Sequence, residues 1–286
     1  MGNKGITVLS LFDGMSCGQI ALARAGIKVA KYYAVEIDKY AIKVAQANYP
    51  DTVQLGDIND INIKELPPID LIIGGSPCQG FSFSGKQLNF NDPRSKLFFN
   101  FVSILKEVKP KYFLLENVRM KKEYSAVITE RLGVEFIEIN SSLVSAQNRR
   151  RLYWTNIEGV EQPIDKNISW GDIFEKNAPK VHYYSNKALA WIDRHTLRTG
   201  KKLRVFESFG KCQMLEASMY KNYSSQRFFG IKDVEGLRYI SLLECEKAQT
   251  VPAGYTAHVS NTQRYKMLGN GWTVDVIAHI LRKMQF

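Results

Sequence analysis

Short apolar runs alternate with amphipathic stretches through the first half of the chain. Apolar runs bounded by Gly, Pro, Asn or Asp are typical of buried strands, whereas apolar positions that recur every three or four residues are typical of helices. The pattern predicts strands at 6–11, 32–37, 53–55, 71–73, 111–115, 134–139 and 151–156. It predicts helices at 18–25, at 39–48 and from 91–93 to 108. This alternation indicates an α/β fold with a mostly parallel, doubly wound, Rossmann-like sheet.

The alternation stops near residue 157. Residues 158–240 carry scattered aromatic residues and glycines without a regular period, which predicts a smaller and less regular second domain. Regular structure is predicted again near 240–247, and the apolar positions of 273–284 predict a closing helix. We therefore assign 1–157, completed by 241–286, to the larger domain and 158–240 to the smaller one.

Composition narrows the class of protein. A chain of 286 residues that is 45% hydrophobic can bury a large core. Its four cysteines form no C-x-x-C pair and its four histidines are widely spaced, so the sequence favours neither a disulfide scaffold nor a metal site. The sequence contains no signal peptide and no apolar run of membrane-spanning length, which predicts a soluble protein of the cytosol.

The chain carries a formal net charge of +11, and much of this excess lies in one window. Residues 194–232, which we call the basic window, contain nine Lys or Arg against two Glu, interleaved with six aromatic residues. An excess of this kind suits a polyanion such as nucleic acid. The aromatic residues either contact that partner or form the core of the small domain.

Three successive predicted strands end on residues that suit an adenosyl group. A glycine-containing turn, Phe12-Asp13-Gly14-Met15-Ser16-Cys17-Gly18, follows the first strand and allows close approach to the backbone. Glu36, at the end of the second strand, suits the ribose hydroxyls, with Ile37 beside it. Asp57 suits the adenine amino group and Ile58 the ring, although each carboxylate alone also suits a helix cap. The sequence lacks G-x-G-x-x-G here, which favours S-adenosylmethionine over a dinucleotide.

A cysteine follows the strand predicted at 71–73. The segment Gly74-Gly75-Ser76-Pro77-Cys78 predicts a loop at the carboxyl edge of the sheet, where a nucleophile can reach a ligand. The alternative for a single cysteine is a small buried thiol. Glu116, after the strand at 111–115, is predicted at the same edge, and Gln147-Asn148-Arg149-Arg150-Arg151 follows later in the chain.

At this point the sequence resembles the DNA (cytosine-5) methyltransferase family. The Phe-x-Gly loop, Pro-Cys-Gln, Glu-Asn-Val, Gln-x-Arg-x-Arg and the pair Gly269-Asn270 occur in the order of that family and span most of the chain outside 158–240. Two positions depart from the commoner pattern, because Ser76 precedes Pro-Cys and Gly271-Trp272 follows Gly-Asn. Both are similar to the de novo branch of the vertebrate enzymes.

The resemblance implies a reaction and a set of site residues. Cys78 would attack C6 of cytosine, Glu116 would hold N3 and the N4 amino group, and Arg149 and Arg151 would contact the O2 side and the phosphate. S-adenosylmethionine would be the cofactor, and no metal is implied. The proposed cofactor-binding residues are Phe12, Asp13, Gly14, Gly18, Glu36, Ile37, Asp57, Ile58, Ser76, Pro77, Asn270 and Trp272.

The implied partner is double-stranded DNA, from which the target base must be flipped to reach Cys78. The loop at 81–94 would fold over that base, and 158–240 would be the target-recognition domain. The resemblance places the protein in the cytoplasm of a prokaryotic cell or a phage-infected host, and we favour a monomer. Two alternatives stay open: methylation of cytosine in tRNA by the same core, and a catalytically silent DNA-binding homologue.

Overall fold

The structure is a computed structural model that describes residues 4–76, 96–176, 183–200, 204–206, 209–224, 229–232 and 235–285. The chain divides into two compact units. The first unit comprises Met1–Asn140, Arg150–Pro163 and Val274–Phe286, and the second comprises Ser141–Arg149 and Ile164–Thr273. Pro77, Cys78 and the loop predicted at 81–94 lie outside the described residues.

The described strands, in chain order, are β1 (Ile6–Leu11), β2 (Val29–Val35), β3 (Val53–Gln54), β4 (Leu71–Gly75), β5 (Tyr112–Val118), β6 (Phe136–Asn140), β7 (Gln147–Asn148), β8 (Arg150–Thr155), β9 (Arg204–Phe206), β10 (Cys212–Gln213), β11 (Phe229–Lys232) and β12 (Leu237–Arg238). The described α-helices are α1 (Cys17–Arg24), α2 (Lys39–Asn48), α3 (Lys96–Val108), α4 (Lys122–Leu132), α5 (Trp170–Ile173), α6 (Asn186–Thr199), α7 (Leu242–Ala248), α8 (Asn261–Asn270) and α9 (Val274–Leu281). Short 3₁₀ segments lie at Ile63–Glu65, Ser141–Leu143 and Ala217–Ser224.

The first unit is built on a seven-stranded sheet with the order β3-β2-β1-β4-β5-β8-β6. Strands β1 to β5 pair in parallel, whereas β8 runs antiparallel to both of its neighbours. The central strands β1 and β4 are apolar because their residues are covered on both faces of the sheet. Phe98 and Phe101 of α3 pack in this core with Leu9 and Ile72. The predicted mostly parallel α/β sheet is confirmed.

The boundaries of several elements differ from the predicted ones. The second strand ends at Val35 rather than at 37, because the Glu36 carboxylate accepts hydrogen bonds from the backbone N–H groups of Ile37 and Asp38 and turns the chain out of the sheet. Asp38 caps α2 by accepting a hydrogen bond from the backbone N–H of Tyr40. Helices α4, α6 and α8 were not predicted, and α9 is shorter than the predicted helix at 273–284.

The second unit contains small sheets and helices. Strands β9, β11 and β12 form one sheet, and β7 pairs in parallel with β10. A fully buried ion pair joins Arg238 to Glu244, with nitrogen–oxygen distances of 2.7 and 3.0 Å. Ser241 and Glu244 also form a capping box at the start of α7. The pair therefore ties the start of α7 to β12.

The compact units do not follow the predicted boundary at 240/241. Residues 241–273 belong to the same unit as 164–240, because α8 packs closely on the 3₁₀ segment Ala217–Ser224. A Cβ atom at Gly269 of α8 would lie 2.2 Å from the backbone N of Ala217 and from the carbonyl carbon of Glu216. Which unit carries catalysis and which carries target recognition stays a prediction.

A search of the described residues found no helix that is both long enough and apolar enough to cross a membrane.

We expect Gly269→Ala to destabilise the protein, because the new methyl group would overlap backbone atoms that cannot rotate away. Overpacking of this kind costs about 3 kcal/mol. The measurement is urea unfolding followed by circular dichroism. Gly210→Ala is the matched control, since a Cβ atom there would meet no heavy atom within 4 Å. Equal stability of the two variants would contradict the close packing of α8 on Ala217–Ser224.

Candidate active site

The loop after β1 is tightly turned. Phe12, Gly14 and Ser16 have positive φ angles of 60°, 60° and 62°, a left-handed conformation that non-glycine residues rarely adopt. The backbone N–H of Asp13 donates to the carbonyl of Val35, which fixes this loop beside the end of β2. Helix α1 begins immediately afterwards at Cys17. The predicted glycine-containing turn therefore exists, and strained backbone at two non-glycine positions shapes it.

Asp13 holds the inside of this loop together. Its carboxylate accepts hydrogen bonds from the Ser16 hydroxyl and, at 2.7 Å, from the Tyr32 hydroxyl of β2. Burial raises the pKa of Asp13 from 3.8 to about 6, although the hydrogen bonds from Ser16 and Tyr32 act in the opposite direction. Tyr32 was not among the predicted site residues, because its hydroxyl reaches Asp13 only through the pairing of β1 with β2.

Gly18 allows this arrangement by packing tightly on the sheet. A Cβ atom at Gly18 would lie 2.7 Å from the Tyr32 hydroxyl oxygen and 2.4 Å from Cδ1 of Ile73. Gly14 has no such neighbour and is needed instead for its positive φ of 60°. The two glycines of the predicted turn therefore serve different purposes.

Glu36 lies just after β2 and faces the same loop. One carboxylate oxygen accepts the backbone N–H of Gly14 at 2.8 Å, and the other accepts the N–H groups of Ile37 and Asp38, each at 2.8 Å. The neighbouring Ile37 side chain is 72% exposed, unusual for a large apolar residue. A fixed carboxylate beside an exposed apolar side chain fits a ribose and an adenine ring, respectively.

Asp57 and Ile58 follow β3. The Asp57 carboxylate accepts hydrogen bonds from the backbone N–H and the side-chain amide of Asn59, at 2.9 and 2.7 Å. This turn holds the half-buried Asp57 at the strand end. Ile58 is buried in the core cluster of the first unit with Leu9 and Leu11. Contact of these two residues with an adenine ring stays a prediction.

Strands β4 and β5 deliver the next set of residues to the carboxyl edge of the sheet. Gly75 pairs with Glu116, so Ser76 follows β4 beside Asn117 of β5. The Asn117 side-chain amide donates to the Ser76 hydroxyl at 2.9 Å, and both residues are buried. Gly74 is needed because a Cβ atom there would lie 2.8 Å from the carbonyl oxygen of Leu11. The end of β4 and Ser76 are therefore held in place beside β5.

Among the described cysteines, Cys212 and Cys245 are poor nucleophiles. Cys17, Cys212 and Cys245 are buried free thiols. Burial raises the pKa of the Cys212 and Cys245 thiols above their ordinary value, which opposes formation of a reactive thiolate. Cys78 lies outside the described residues, and its assignment as the nucleophile stays a prediction.

Glu116 and Arg151 form an ion pair at the same edge. Arg151 Nε lies 2.9 Å from Glu116 Oε1, and Glu116 is only 9% exposed. The antiparallel register of β5 and β8 pairs Glu116 with Tyr153 and Val118 with Arg151, which places the two charged side chains diagonally on one face. The structure therefore brings together two of the four predicted catalytic residues.

Arg149 has different surroundings from Arg151. Its guanidinium, in the second unit, donates to the carbonyl oxygens of Leu215, Gly269 and Gly271. The residue is 2% exposed, and two of these carbonyls lie at the carboxyl end of α8, where a cation is favourable. Arg149 thus holds the turn that carries Asn270, which is exposed, and Trp272, which is half-buried. Its predicted contact with the substrate stays a prediction.

A buried polar network, which sequence reasoning missed, supports the same turn. The Gln249 side-chain amide donates to the carbonyls of Leu268 and Gly271, and its oxygen accepts from Gln147 at 2.9 Å and from Thr273 at 3.0 Å. The sequence did indicate Gln147, because it is the first residue of the motif Gln-x-Arg-x-Arg. Gln249 belongs to none of the motifs recognised in the sequence and could be found only from the structure.

Among the described residues, no group of three or more His, Cys, Asp or Glu side chains could hold a metal ion.

The family model for C-5 cytosine-specific DNA methylases matches residues 6–285 of this chain. The chain belongs to this family. Members of the family are S-adenosylmethionine-dependent methyltransferases, in agreement with the loop and carboxylates described above.

Two curated relatives illustrate the similarity. The type II methyltransferase M1.ScrFI of Lactococcus lactis subsp. cremoris is 32% identical, over 97% of this chain and 77% of its own length. The type II methyltransferase M.HhaI of Haemophilus parahaemolyticus is 26% identical, over 96% of this chain and 93% of its own length. Both alignments cover almost the whole of this methyltransferase.

Solved structures share the fold. The methyltransferase EhMeth of Entamoeba histolytica superimposes with a TM-score of 0.82 at 19% identity, covering 98% of each chain. A DNMT2 mutant of Spodoptera frugiperda gives a TM-score of 0.71 at 22% identity, covering 98% of this chain and 99% of its own.

We expect the stability of the methyltransferase to fall as the pH rises from about 4 to 6, because of Asp13. Its pKa is 3.8 in the unfolded chain and about 6 in the folded protein, so the folded state retains the proton longer. The stability that this proton provides is present below pH 4 and is lost as the pH rises through 6, a difference of about 3 kcal/mol. Urea unfolding of the wild type and of Asp13→Asn across this range is the measurement. A similar pH slope in both proteins would contradict the assignment.

We expect Arg149→Lys to loosen the end of α8, because one ammonium group cannot reach the carbonyls of Leu215, Gly269 and Gly271 together. The loss should amount to about 2 kcal/mol, the scale of charged buried hydrogen bonds. Hydrogen exchange is the measurement, with faster exchange expected at 267–271 and unchanged exchange in α9. Arg131→Lys, an exposed residue in the last turn of α4, is the control. Unchanged protection at 267–271 would disprove the role given to Arg149.

Proposed function

We propose that the methyltransferase transfers a methyl group from S-adenosylmethionine to C5 of a cytosine flipped out of double-stranded DNA, with Cys78 as the nucleophile. The observation that carries this proposal is the edge formed by β4 and β5. There the Asn117–Ser76 hydrogen bond fixes Ser76, two positions before Cys78 in the sequence, and the preceding residue of β5, Glu116, is paired with Arg151.

The chemistry explains why a thiol is needed. C5 of cytosine is a poor nucleophile, and covalent catalysis replaces one difficult step by two easier ones. The Cys78 thiolate would add to C6, and the electron pair of the 5,6 double bond would move to C5. C5 would then take the methyl group as the bond between that group and the donor sulfur breaks, leaving the electron pair on the sulfur. Loss of the C5 proton to a base, for which water is sufficient, restores the double bond and expels the thiolate. Both the nucleophile and the double bond are regenerated.

Glu116 and Arg151 would act on the cytosine ring while this happens. The Glu116 carboxyl group would accept a hydrogen bond from the N4 amino group and assist protonation of N3, so that charge developing on the ring is stabilised. Arg151 fixes the orientation of that carboxyl group at 2.9 Å and would approach O2 of the base. Since both side chains are largely buried, their electrostatic effect on a bound base would be stronger than in water.

The cofactor supplies an electrophilic methyl group on a sulfonium centre. Glu36 would accept the ribose hydroxyls, Ile37 would cover the adenine ring, and Asp57 would accept from its amino group. The loop from Phe12 to Gly18 would approach the methionine part through its backbone. The resemblance adds Ile58, Ser76, Pro77, Asn270 and Trp272 to the proposed cofactor residues.

The DNA would be held mainly through its phosphates by the second unit. Arg194 and Arg198 of the basic window are exposed on α6, and Phe209 is an exposed aromatic residue in the same window. Phosphate contacts position a protein on the duplex, whereas contacts with base edges specify the sequence. The basic window would therefore supply most of the affinity through phosphate contacts. A few of its side chains would read base edges.

Trapping with a fluorinated base tests this proposal directly. Fluorine at C5 cannot leave as a proton does, so after methyl transfer the bond between Cys78 and C6 should persist. We expect a denaturant-resistant adduct between the protein and a 5-fluorocytosine duplex, formed only when S-adenosylmethionine is added. Cys78→Ala should form no adduct and should lose methyl transfer by about a thousandfold or more.

The same preparation should be offered duplex DNA and tRNA with labelled S-adenosylmethionine. Label in the duplex supports the proposal, and label in tRNA alone would replace DNA as the substrate. Absence of label from both, in a protein that binds DNA, would indicate the catalytically silent alternative. Full activity of Cys78→Ala would remove the covalent mechanism.

A further inference from the structure

Three charged side chains form a cluster at one end of the sheet in the first unit. Arg119 follows β5, Glu138 lies in β6 and Arg150 begins β8. Arg119 Nε lies 3.3 Å from Glu138 Oε2, and Arg150 Nη1 lies 3.4 Å from Glu138 Oε1. Each oxygen of one carboxylate thus faces a different guanidinium. We call these three residues the arginine cluster.

The arginine cluster lies at the same end of the sheet as the Glu116–Arg151 pair. Strand β8 runs antiparallel to β5 and β6, so its first residues lie beside the last residues of both. The register pairs Arg150 with Asn140 and Leu152 with Glu138, which puts Arg150 and Glu138 on one face. Arg151 and Glu116 lie on the other face. The two charged groups therefore flank the end of the same strands.

A structural role does not account for this cluster. The Arg119 and Arg150 side chains are 57% and 59% exposed, and each bridge is a single long contact. Exposed ion pairs of this geometry contribute little to stability. Two guanidinium groups against one carboxylate also leave a net positive charge beside the proposed catalytic edge.

Phosphate is the ligand that best matches this chemistry. Guanidinium groups present several N–H donors in a plane and bind phosphate oxygens with two parallel hydrogen bonds. Each bridge to Glu138 uses one nitrogen of its guanidinium, so the carboxylate pairs with both groups in the free protein without enclosing them, and a phosphate can replace it. A base bound at Glu116 brings its own phosphodiester backbone to this end of the sheet.

We propose that Arg119 and Arg150 bind a backbone phosphate of the substrate nucleic acid close to the flipped cytosine, with Glu138 as the counter-ion that the phosphate displaces. The inference rests on the proposed function and adds a contact outside the basic window. Arg150 occupies a variable position of Gln-x-Arg-x-Arg and Arg119 follows Glu-Asn-Val, so neither is assigned a role by those motifs. The contact is independent of base sequence and would hold the backbone while the base is extruded.

The salt dependence of DNA binding tests the proposal. Each arginine that neutralises a phosphate releases counterions, so the slope of log affinity against log salt should become shallower by about 0.9 when that arginine is replaced. The probe is a fluorescein-labelled DNA duplex that contains cytosine, titrated without cofactor at several KCl concentrations. The variants are Arg119→Gln and Arg150→Gln, each expected to weaken binding about three- to tenfold at low salt.

Glu138→Gln should change the affinity for DNA in the opposite direction to the two arginine variants. Removal of the carboxylate leaves both guanidinium groups in place but removes a competing negative charge, so affinity for the duplex should rise about threefold at low salt. A cluster that served only the fold would show no gain. Arg131→Gln is the matched control, because it removes the same charge from an exposed position at the end of α4 and should leave the slope unchanged.

Thermal unfolding of each variant, with a midpoint close to that of the wild type, verifies folding. Slopes for Arg119→Gln and Arg150→Gln equal to that of Arg131→Gln, or weaker binding by Glu138→Gln, would overturn the inference. The 5-fluorocytosine adduct is measured in parallel on the wild type. It distinguishes failure of the phosphate contact from failure of the proposed function. A wild type that forms the adduct beside unchanged slopes would remove only the phosphate contact. Reduced slopes without an adduct would retain the contact and remove the methylation.

Discussion

The buried ion pair between Glu116 and Arg151 is the interaction on which the candidate active site depends. A charged group that is taken out of water is stable only when it is paired, and loss of one partner leaves an uncompensated charge. Strand β8 supplies that partner because it runs antiparallel to β5, so its first residues lie beside the last residues of β5. In a wholly parallel sheet, the residue next to Glu116 would come from the end of a neighbouring strand. The one reversal of direction at this edge thus creates the pair.

Close approach of backbones shapes the other half of the site. Gly74 and Gly18 are positions where a side chain would overlap Leu11, Tyr32 or Ile73. Because Gly18 leaves room for the Tyr32 ring, the Tyr32 hydroxyl reaches the Asp13 carboxylate and holds the loop that Glu36 contacts from outside. The loop conformation is therefore set by residues of β1, β2 and α1 together. The raised pKa of the Asp13 carboxyl group, about 6, is a consequence of this packing, since the loop encloses Asp13 more completely than its hydrogen bonds compensate.

Local sequence was sufficient for the elements whose pattern reflects burial on both faces. The apolar runs of β1, β2, β4 and β5, and the polar residues at or just after their ends, predicted the sheet and located Glu36, Ser76 and Glu116 at its carboxyl edge. Helix α6 was missed because its apolar residues, such as Ala188 and Ile192, occupy a narrow stripe among charged residues. Contacts between distant segments could not be predicted from local sequence either. Nothing in the sequence near Gln249 indicates that its amide binds the carbonyls of Leu268 and Gly271. The extent of the second compact unit could not be predicted for the same reason, since Gly269 is placed by packing on Glu216 and Ala217.

The motif Gln-x-Arg-x-Arg shows how far residue type alone determines a role. Arg149 and Arg151 are two residues apart, a spacing that in one continuous strand would put both side chains on the same face. Arg149 precedes β8, however, and belongs with Gln147 to the second unit, whereas Arg151 belongs to the first. The acceptors differ accordingly: backbone carbonyls at the end of α8 for Arg149 and a carboxylate for Arg151. Carbonyl acceptors make an arginine a support for the backbone, while a carboxylate at the sheet edge keeps it beside the reacting group. Two identical side chains in one motif are thus distinguished by their acceptors, which only the folded chain supplies.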